Sequence, residues 1–253
     1  MNSYLFLFPH QDDEIGVFHE LEYACQQDKN LSVTCVFITD GGKHGFRRQA
    51  ESRHVLTKFG IAADNIQFVG ANLGVIDSKA PDSIETIVNH LAYVIQKTNP
   101  ERVYFPAWEG GHQDHDSIHL ATHVACDLTG FVGERLVYPL YTAANAGIGF
   151  FSFGRPPINC TAVFERKLTF RQGWRYFLLL LKYPSQWASL IPLSPMIFLM
   201  FVVRRRCFIG VSEMSAAPAR PPHDGILLYE RRGKYSWELF VEKIGPILTR
   251  LNS

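Results

Sequence analysis

Tyr4-Leu5-Phe6-Leu7-Phe8-Pro9-His10-Gln11-Asp12-Asp13-Glu14 is the stretch on which the fold of this chain turns. Five apolar, β-favouring residues are stopped by a proline, and an imidazole and two adjacent carboxylates follow at once. Such a run predicts a buried strand of a mainly parallel sheet. Its polar continuation then lies at the carboxyl edge, where open α/β sheets bind ligands. From Glu14 to Gln27, Ile15, Phe18, Leu21 and Cys25 recur at helical spacing, which gives a helix with one face for the sheet.

His10 and Asp13, three residues apart on a turn that enters a helix, can bind one cation together while Asp12 points elsewhere. A hydrolytic zinc site needs about three protein ligands, an open position for water and a nearby base that is not a ligand. The same residues also suit an ordinary helix start, with Asp12 or Asp13 as N-cap and Glu14 against the helix dipole. A second cluster weighs on that choice. Gly110-Gly111-His112-Gln113-Asp114-His115-Asp116 follows the apolar run Val103-Tyr104-Phe105-Pro106. His115 can supply a third ligand, and His112 is then free to polarise a substrate or carry a proton, with Asp114 to orient it and hold it charged. Two such clusters at equivalent ends of two predicted strands point to one shared site.

Pro9-His10-Gln11-Asp12-Asp13-Glu14 resembles the P/A-H-P-D-D-E signature of the PIG-L/LmbE-like zinc de-N-acetylases, and His112-Gln113-Asp114-His115 resembles their H-P-D-H signature. The similarity continues in Thr39-Asp40-Gly41-Gly42, in Arg48-Gln49-Ala50-Glu51 and in Lys182-Tyr183-Pro184-Ser185-Gln186, which looks like a late Y-x-S-Q element. The resemblance implies a metal site of His10, Asp13 and His115, Asp12 as general base, and His112 as the oxyanion-stabilising residue or acid with Asp114 beside it. It implies zinc, with ferrous iron as the alternative. Gln stands for Pro in both signatures, at a position that is a spacer and not a ligand. Gly110 stands where some members carry a Tyr, so phenolic help to an oxyanion must come from elsewhere or be missing.

The chain has 253 residues, 47% of them apolar, and a formal net charge of +1. That suits one α/β domain over residues 1–253, Rossmann-like, with a mainly parallel sheet flanked by helices. Near-neutral charge argues against nucleic acid as a partner. Five cysteines without C-x-x-C, and no basic segment followed by an apolar core at the N-terminus, predict reduced thiols and a cytoplasmic chain.

Strands are predicted at 31–39, 66–69, 102–105, 134–138 and 160–164, and helices at 48–59, closed by Gly60, at 83–97, at 116–127, at 167–182 and at 237–244. Gly225 to Glu230 predicts a further strand, and residues 141–153 a loop walling the pocket. Asp40 is expected as a turn carboxylate. Arg48, at a helix start where a cation is poorly placed, is expected either to contact a substrate hydroxyl or phosphate or to pair with Glu51 or Asp40. His119 and His123, at i and i+4, are expected to be structural. The roles of Tyr183, His223 and Asp224 stay open.

Trp187 to Val203 is a run of seventeen uncharged residues before Arg204-Arg205-Arg206. It is short for a membrane span of roughly 20 residues, and Pro192 and Pro195 interrupt it. It is either a segment buried on the sheet or an interfacial patch over 187–206 that brings the chain to the inner face of a membrane and a lipid-linked sugar. The function expected is hydrolysis of the acetamido group of an N-acetylhexosamine, free, nucleotide-bound or lipid-linked. The alternatives are an amidase on a glucosaminide thiol conjugate or antibiotic precursor, and a non-catalytic carbohydrate- or lipid-binding module.

Overall fold

The computed structural model describes residues 2–27, 31–144, 152–213 and 221–251. Strands β1 (Ser3–Phe8), β2 (Ser32–Phe37), β3 (Ile66–Phe68), β4 (Arg102–Pro106) and β5 (Glu134–Tyr138) alternate with helices α1 (Phe18–Gln27), α2 (Gly45–Thr57), α3 (Gly70–Leu73), α4 (Ile84–Thr98) and α5 (Gln113–Leu128). A two-stranded ribbon, β6 (Tyr141–Thr142) with β7 (Ser152–Phe153), follows, then β8 (Ala162–Lys167), α6 (Phe170–Leu179), α7 (Trp187–Phe198), β9 (Arg206–Val211), α8 (Leu228–Arg231) and α9 (Trp237–Leu251). The seven-stranded sheet runs in the order β3-β2-β1-β4-β5-β9-β8. Its first five strands are parallel, and β9 and β8 extend it antiparallel. This is the expected single α/β domain with a mainly parallel sheet.

Alternation along β1 builds the two cores. Leu5 and Leu7 face a cluster with Val36, Val103 and helices α4, α5 and α9. Phe6 and Phe8 face the other, where Phe6 stacks on Tyr104 with centroids 4.3 Å apart and α1, α2 and α6 close the layer. Because β1 pairs with β2 on one side and β4 on the other, the chain order reverses between β1 and β4. That reversal opens a crevice at the carboxyl ends of these two strands.

Some elements differ from the sequence expectation. Gly225 to Glu230 is not a strand; the Glu230 carboxylate accepts the Leu227 N–H at 2.9 Å and starts the single turn α8. Helix α2 starts at Gly45, three residues before Arg48, and the helix after the second signature starts at Gln113. The loop expected over 141–153 has ends paired as β6 and β7, and residues 145–151 lie outside the described residues. All five cysteines are free.

Candidate active site

The first signature leaves β1 and enters a short 3-10 turn, Asp13–Val17. Asp12, just before it, has φ 131° and ψ −16°, a conformation that costs a residue other than glycine roughly 1–3 kcal/mol. Surrounding bonds hold it there. The Asp12 N–H donates to Glu14 Oε2 at 2.9 Å, and Tyr183 Oη donates to Glu14 Oε1 at 2.7 Å. Ser185 donates to Glu51 on α2 from both its backbone N–H and its hydroxyl. The late Tyr183-Pro184-Ser185 element thus clamps the back of the first loop, which is the role of Tyr183.

Three donor atoms from the two signatures converge. His10 Nδ1 lies 3.1 Å from Asp13 Oδ2, and His115 Nε2 lies 3.3 Å from each of them. Bonds of ~2.0–2.1 Å to a tetrahedral ion separate its ligands by about 3.3–3.4 Å, so the donor set fits a zinc-sized cation. Charge agrees with geometry. Burial lowers the proton affinity of His10, yet Asp13, Asp77 and Asp114 outweigh it and hold the imidazole pKa well above its ordinary value. Burial works against ionised Asp13, but His115 and His10 bring its pKa well below the usual range. The pocket therefore favours net positive charge at its centre. Among the described residues, His10 with His112 and His115, and His10 with Asp77 and Asp114, also place ligand atoms within 4.8 Å of one another.

Asp12 lines the same cleft without joining the three donors. Burial raises its carboxyl pKa to about 7, with Arg48 opposing and Asp13 adding to the shift. A carboxylate poised there suits proton transfer near neutral pH.

Three expected roles are corrected. The Asp114 carboxylate does not orient His112: its Oδ2 accepts from His10 Nε2 at 2.9 Å and from the Ser78 N–H at 2.7 Å, and its Oδ1 from the Ala80 N–H at 3.0 Å. It fixes the ring of His10 from behind. His112 is not held charged. It is the N-cap of α5, its Nδ1 accepting the Asp114 N–H at 3.1 Å, so the neutral ring carries its proton on Nε2. Burial lowers its pKa well below the ordinary value, and His10 and His115 add to this against the pull of Asp114. Arg48 lines the cleft, and every N–H of its guanidinium has a partner within the chain. Its guanidinium bonds Gln11 O twice, Gly41 O, Asp77 Oδ2 at 2.7 Å and Asp12 Oδ1 at 3.1 Å. Its carboxylate partners are Asp12 and Asp77 rather than Glu51 or Asp40, and Glu51 pairs with Arg47.

Asp77 is the residue that sequence reasoning passed over. It follows Val75-Ile76 in the loop after β3, with no signature around it, and is held by its N–H on Asp40 Oδ1 at 2.9 Å. The two glutamines in the signatures are more than spacers, since Gln11 Nε2 donates to Thr39 O at 3.1 Å and Gln113 Nε2 to Ser78 O at 2.8 Å. Each ties its loop to the next. Gly111 permits the second loop to pass under β6, because a Cβ there would collide with the Tyr141 carbonyl. Tyr141, its ring centroid 5.3 Å from that of His115, lines the cleft and brings a phenol to the site from another element. His119 and His123 bond Pro106 O and Ser212 Oγ at 2.9 and 3.0 Å, away from the donor set. His223 and Asp224 are not among the cleft-lining residues. The cleft, about 420 Å³, is completed by Arg232 and Lys234 and by Ala188, Ser189, Pro192 and Leu193 of α7. Its size is that of a small-molecule site.

Residues 5–126 match the family profile described as PIG-L: GlcNAc-PI de-N-acetylase. No curated protein matches the chain in sequence. Among solved structures, a conserved protein from Thermus thermophilus superposes with a TM-score of 0.60 at 18% identity, over 83% of this chain and 94% of that one. The N,N'-diacetylchitobiose deacetylase from Pyrococcus horikoshii gives 0.56 at 16% identity, over 87% and 84%. A zinc-inhibited form of a teicoplanin deacetylase gives 0.54 at 16%, over 73% and 85%. The profile match bears out the resemblance seen in the two signatures, and the superpositions show that the fold is shared.

Proposed function

From the PIG-L match over residues 5–126, we propose that this protein is a metal-dependent hydrolase that removes the N-acetyl group from an N-acetylhexosamine-containing substrate. One observation carries the reading. His10 Nδ1, Asp13 Oδ2 and His115 Nε2 stand 3.1–3.3 Å apart, with the Asp12 carboxylate in the same cleft. His10, Asp13 and His115 would hold a divalent ion, which would supply Lewis acidity and bring the pKa of water toward ~7.

The side chains do the rest. Asp12, held by Arg48, takes a proton from the attacking water and hands it to the departing nitrogen, so the C–N bond breaks to give acetate and an amine. Neutral His112 donates its Nε2–H to the oxygen on which negative charge develops. Asp114 keeps His10 turned so that Nδ1 faces Asp13 Oδ2 and His115 Nε2. An amino sugar fits the names of the structural relatives, one of them a deacetylase of N,N'-diacetylchitobiose. That another relative is described as zinc-inhibited makes the identity of the working metal part of the test.

The test is acetate release from a panel of N-acetylated sugars, soluble and lipid-linked, by protein loaded with zinc or with ferrous iron. Asp12→Ala should keep its metal and lose most of its activity, whereas His10→Ala should lose both. Normal turnover by Asp12→Ala, or no acetate from any substrate with either metal, refutes the proposal.

A further inference from the structure

Helix α7 serves two sides. Ala188, Ser189, Pro192 and Leu193 wall the cleft, while Leu190, Ile197, Met200 and Phe201 of α7 and the following turn are buried in the core. Phe201 packs on Tyr176 and Phe18. Within Pro184–Arg204 an eighteen-residue window has a mean hydropathy of 1.7, yet only 22% of that window is buried. An apolar face is therefore left outside. Trp187, Ile191 and Val203 are 45%, 64% and 57% exposed, and Trp174, Leu178 and Leu181 from α6 and the turn after it are 41%, 43% and 61% exposed. The two sets form one surface. Trp174 meets Phe198 with centroids 6.1 Å apart, and a groove floored by Phe177 and Leu190 lies between Leu181, Trp187 and Ile191.

Charge around this face is one-sided. Between Glu165 and Glu213 the chain carries eight Lys and Arg and no Asp or Glu, in a protein whose net charge is +1. Arg166, Arg175 and Arg206 pair with Glu20, Glu22 and Glu165. Arg171, Lys182, Arg204 and Arg205 have no ion pair among the described residues. At the end of α7, Arg204, Arg206 and Arg155 rim a cavity of about 680 Å³ with Met196, Leu199 and Met200 in its lining.

We infer that the α6–α7 face docks on an anionic lipid bilayer, with its aromatic and aliphatic side chains at the acyl boundary and the unpaired cations at the headgroups. Such a face is amphipathic, rich in Trp, Phe and Leu, and basic at its edge. It lies on the membrane and does not span it, because the opposite side of α7 is packed in the core and α7 contains Pro192 and Pro195. Docking sets the cleft at the lipid surface, since α7 walls both. The inference goes beyond the proposed hydrolysis and does not depend on it.

Flotation of the full chain with vesicles tests it, using phosphatidylcholine alone or with about one part in three of phosphatidylglycerol. The protein should float with the anionic vesicles and fall away as salt is raised. Leu181→Glu with Ile191→Glu should abolish flotation. Arg171→Gln with Arg204→Gln, both outside the cleft lining, should weaken partitioning about five-fold per charge without disturbing the apolar face. The inference is overturned if the wild type stays in solution with anionic vesicles at low salt, if either double variant floats like the wild type, or if light scattering shows a dimer that covers the face. Metal content and acetate release from a soluble substrate are read on the same preparations. Active protein that does not float overturns the docking alone, and inactive protein that floats overturns the hydrolase reading alone.

Discussion

Asp12 is asked to do two things at once, and they can be separated. Its backbone sits at φ 131°, costing roughly 1–3 kcal/mol in any residue with a Cβ, while its carboxylate bonds Arg48 at 3.1 Å. Asp12→Ala and Asp12→Gly both delete the carboxylate, so loss of the ion pair cancels in their difference. What remains is the strain that only glycine escapes, set against the freedom glycine adds to the unfolded chain, about 0.4–1 kcal/mol. Strain wins, and Asp12→Gly should be more stable than Asp12→Ala by about 1–2 kcal/mol. In a protein of this size each kcal/mol moves Tm by roughly 2–4 °C, so the two melting curves should separate by about 2–8 °C. Thermal denaturation of metal-loaded protein measures it, and both variants should be equally inactive in acetate release. An alanine variant as stable as the glycine variant would refute the claim that the loop stores strain to aim this carboxylate.

Arg48→Lys keeps one charge but can make at most three of the five bonds; kcat should fall with KM nearly unchanged, because the guanidinium acts through Asp12, and a raised KM at constant kcat would restore a direct substrate contact. His112→Asn should preserve the cap on α5 and lose on the order of 10²–10³ in turnover, whereas His112→Ala should in addition lose ~1 kcal/mol of stability, read by denaturation. Tyr183→Phe removes a 2.7 Å bond to buried Glu14 and should cost about 1.5–3 kcal/mol, with a fall in kcat as the first loop loosens; an unchanged Tm counts against the clamp. Burial pushes the Glu109 carboxyl up to about 8, so the folded state binds its proton more tightly than the unfolded chain. Its contribution is full at acid pH and is lost as pH rises from ~4.3 through about 8, a decline that Glu109→Gln should flatten in a stability–pH series.

What the sequence reveals of this molecule follows the range of the interactions involved. The alternation of Leu5, Phe6, Leu7 and Phe8 and the helical spacing of Ile84, Ile87, Val88 and Leu91 are local, and they report strand and helix directly. The convergence of His10, Asp13 and His115 is legible because each lies just past a strand and β1 and β4 pair. The antiparallel strand β9 is less legible. Arg206–Val211 follows an apolar helix without a turn signal and finds its partners only once the sheet exists. Gly225 to Glu230 misleads because Ile226 and Leu227 favour strands, and one carboxylate of Glu230 decides for a turn of helix. Asp77 and the true partner of Asp114 depend on how the loop after β3 approaches, which no spacing records.

That third loop changes how the site should be understood. Asp114 comes from the first turn of α5, yet two of its three bonds go to backbone N–H groups of Ser78 and Ala80 and the third to His10 after β1. Arg48, on α2, joins Asp77 of the same third loop to Asp12 of the first. His10, Asp13, His115 and Asp12 are therefore not carried by two signatures that happen to meet. They are aimed by a ring of buried bonds running through the loops after β1, β3 and β4 and the start of α2, and each carboxylate in it is satisfied only when its neighbours are in place. A buried acid left alone would be costly, so a partly assembled site is disfavoured and the geometry forms as a unit. This also accounts for the tie between Tyr183 and Glu14: the late element lies outside residues 5–126 but completes the ring at the loop that holds Asp12 at φ 131°.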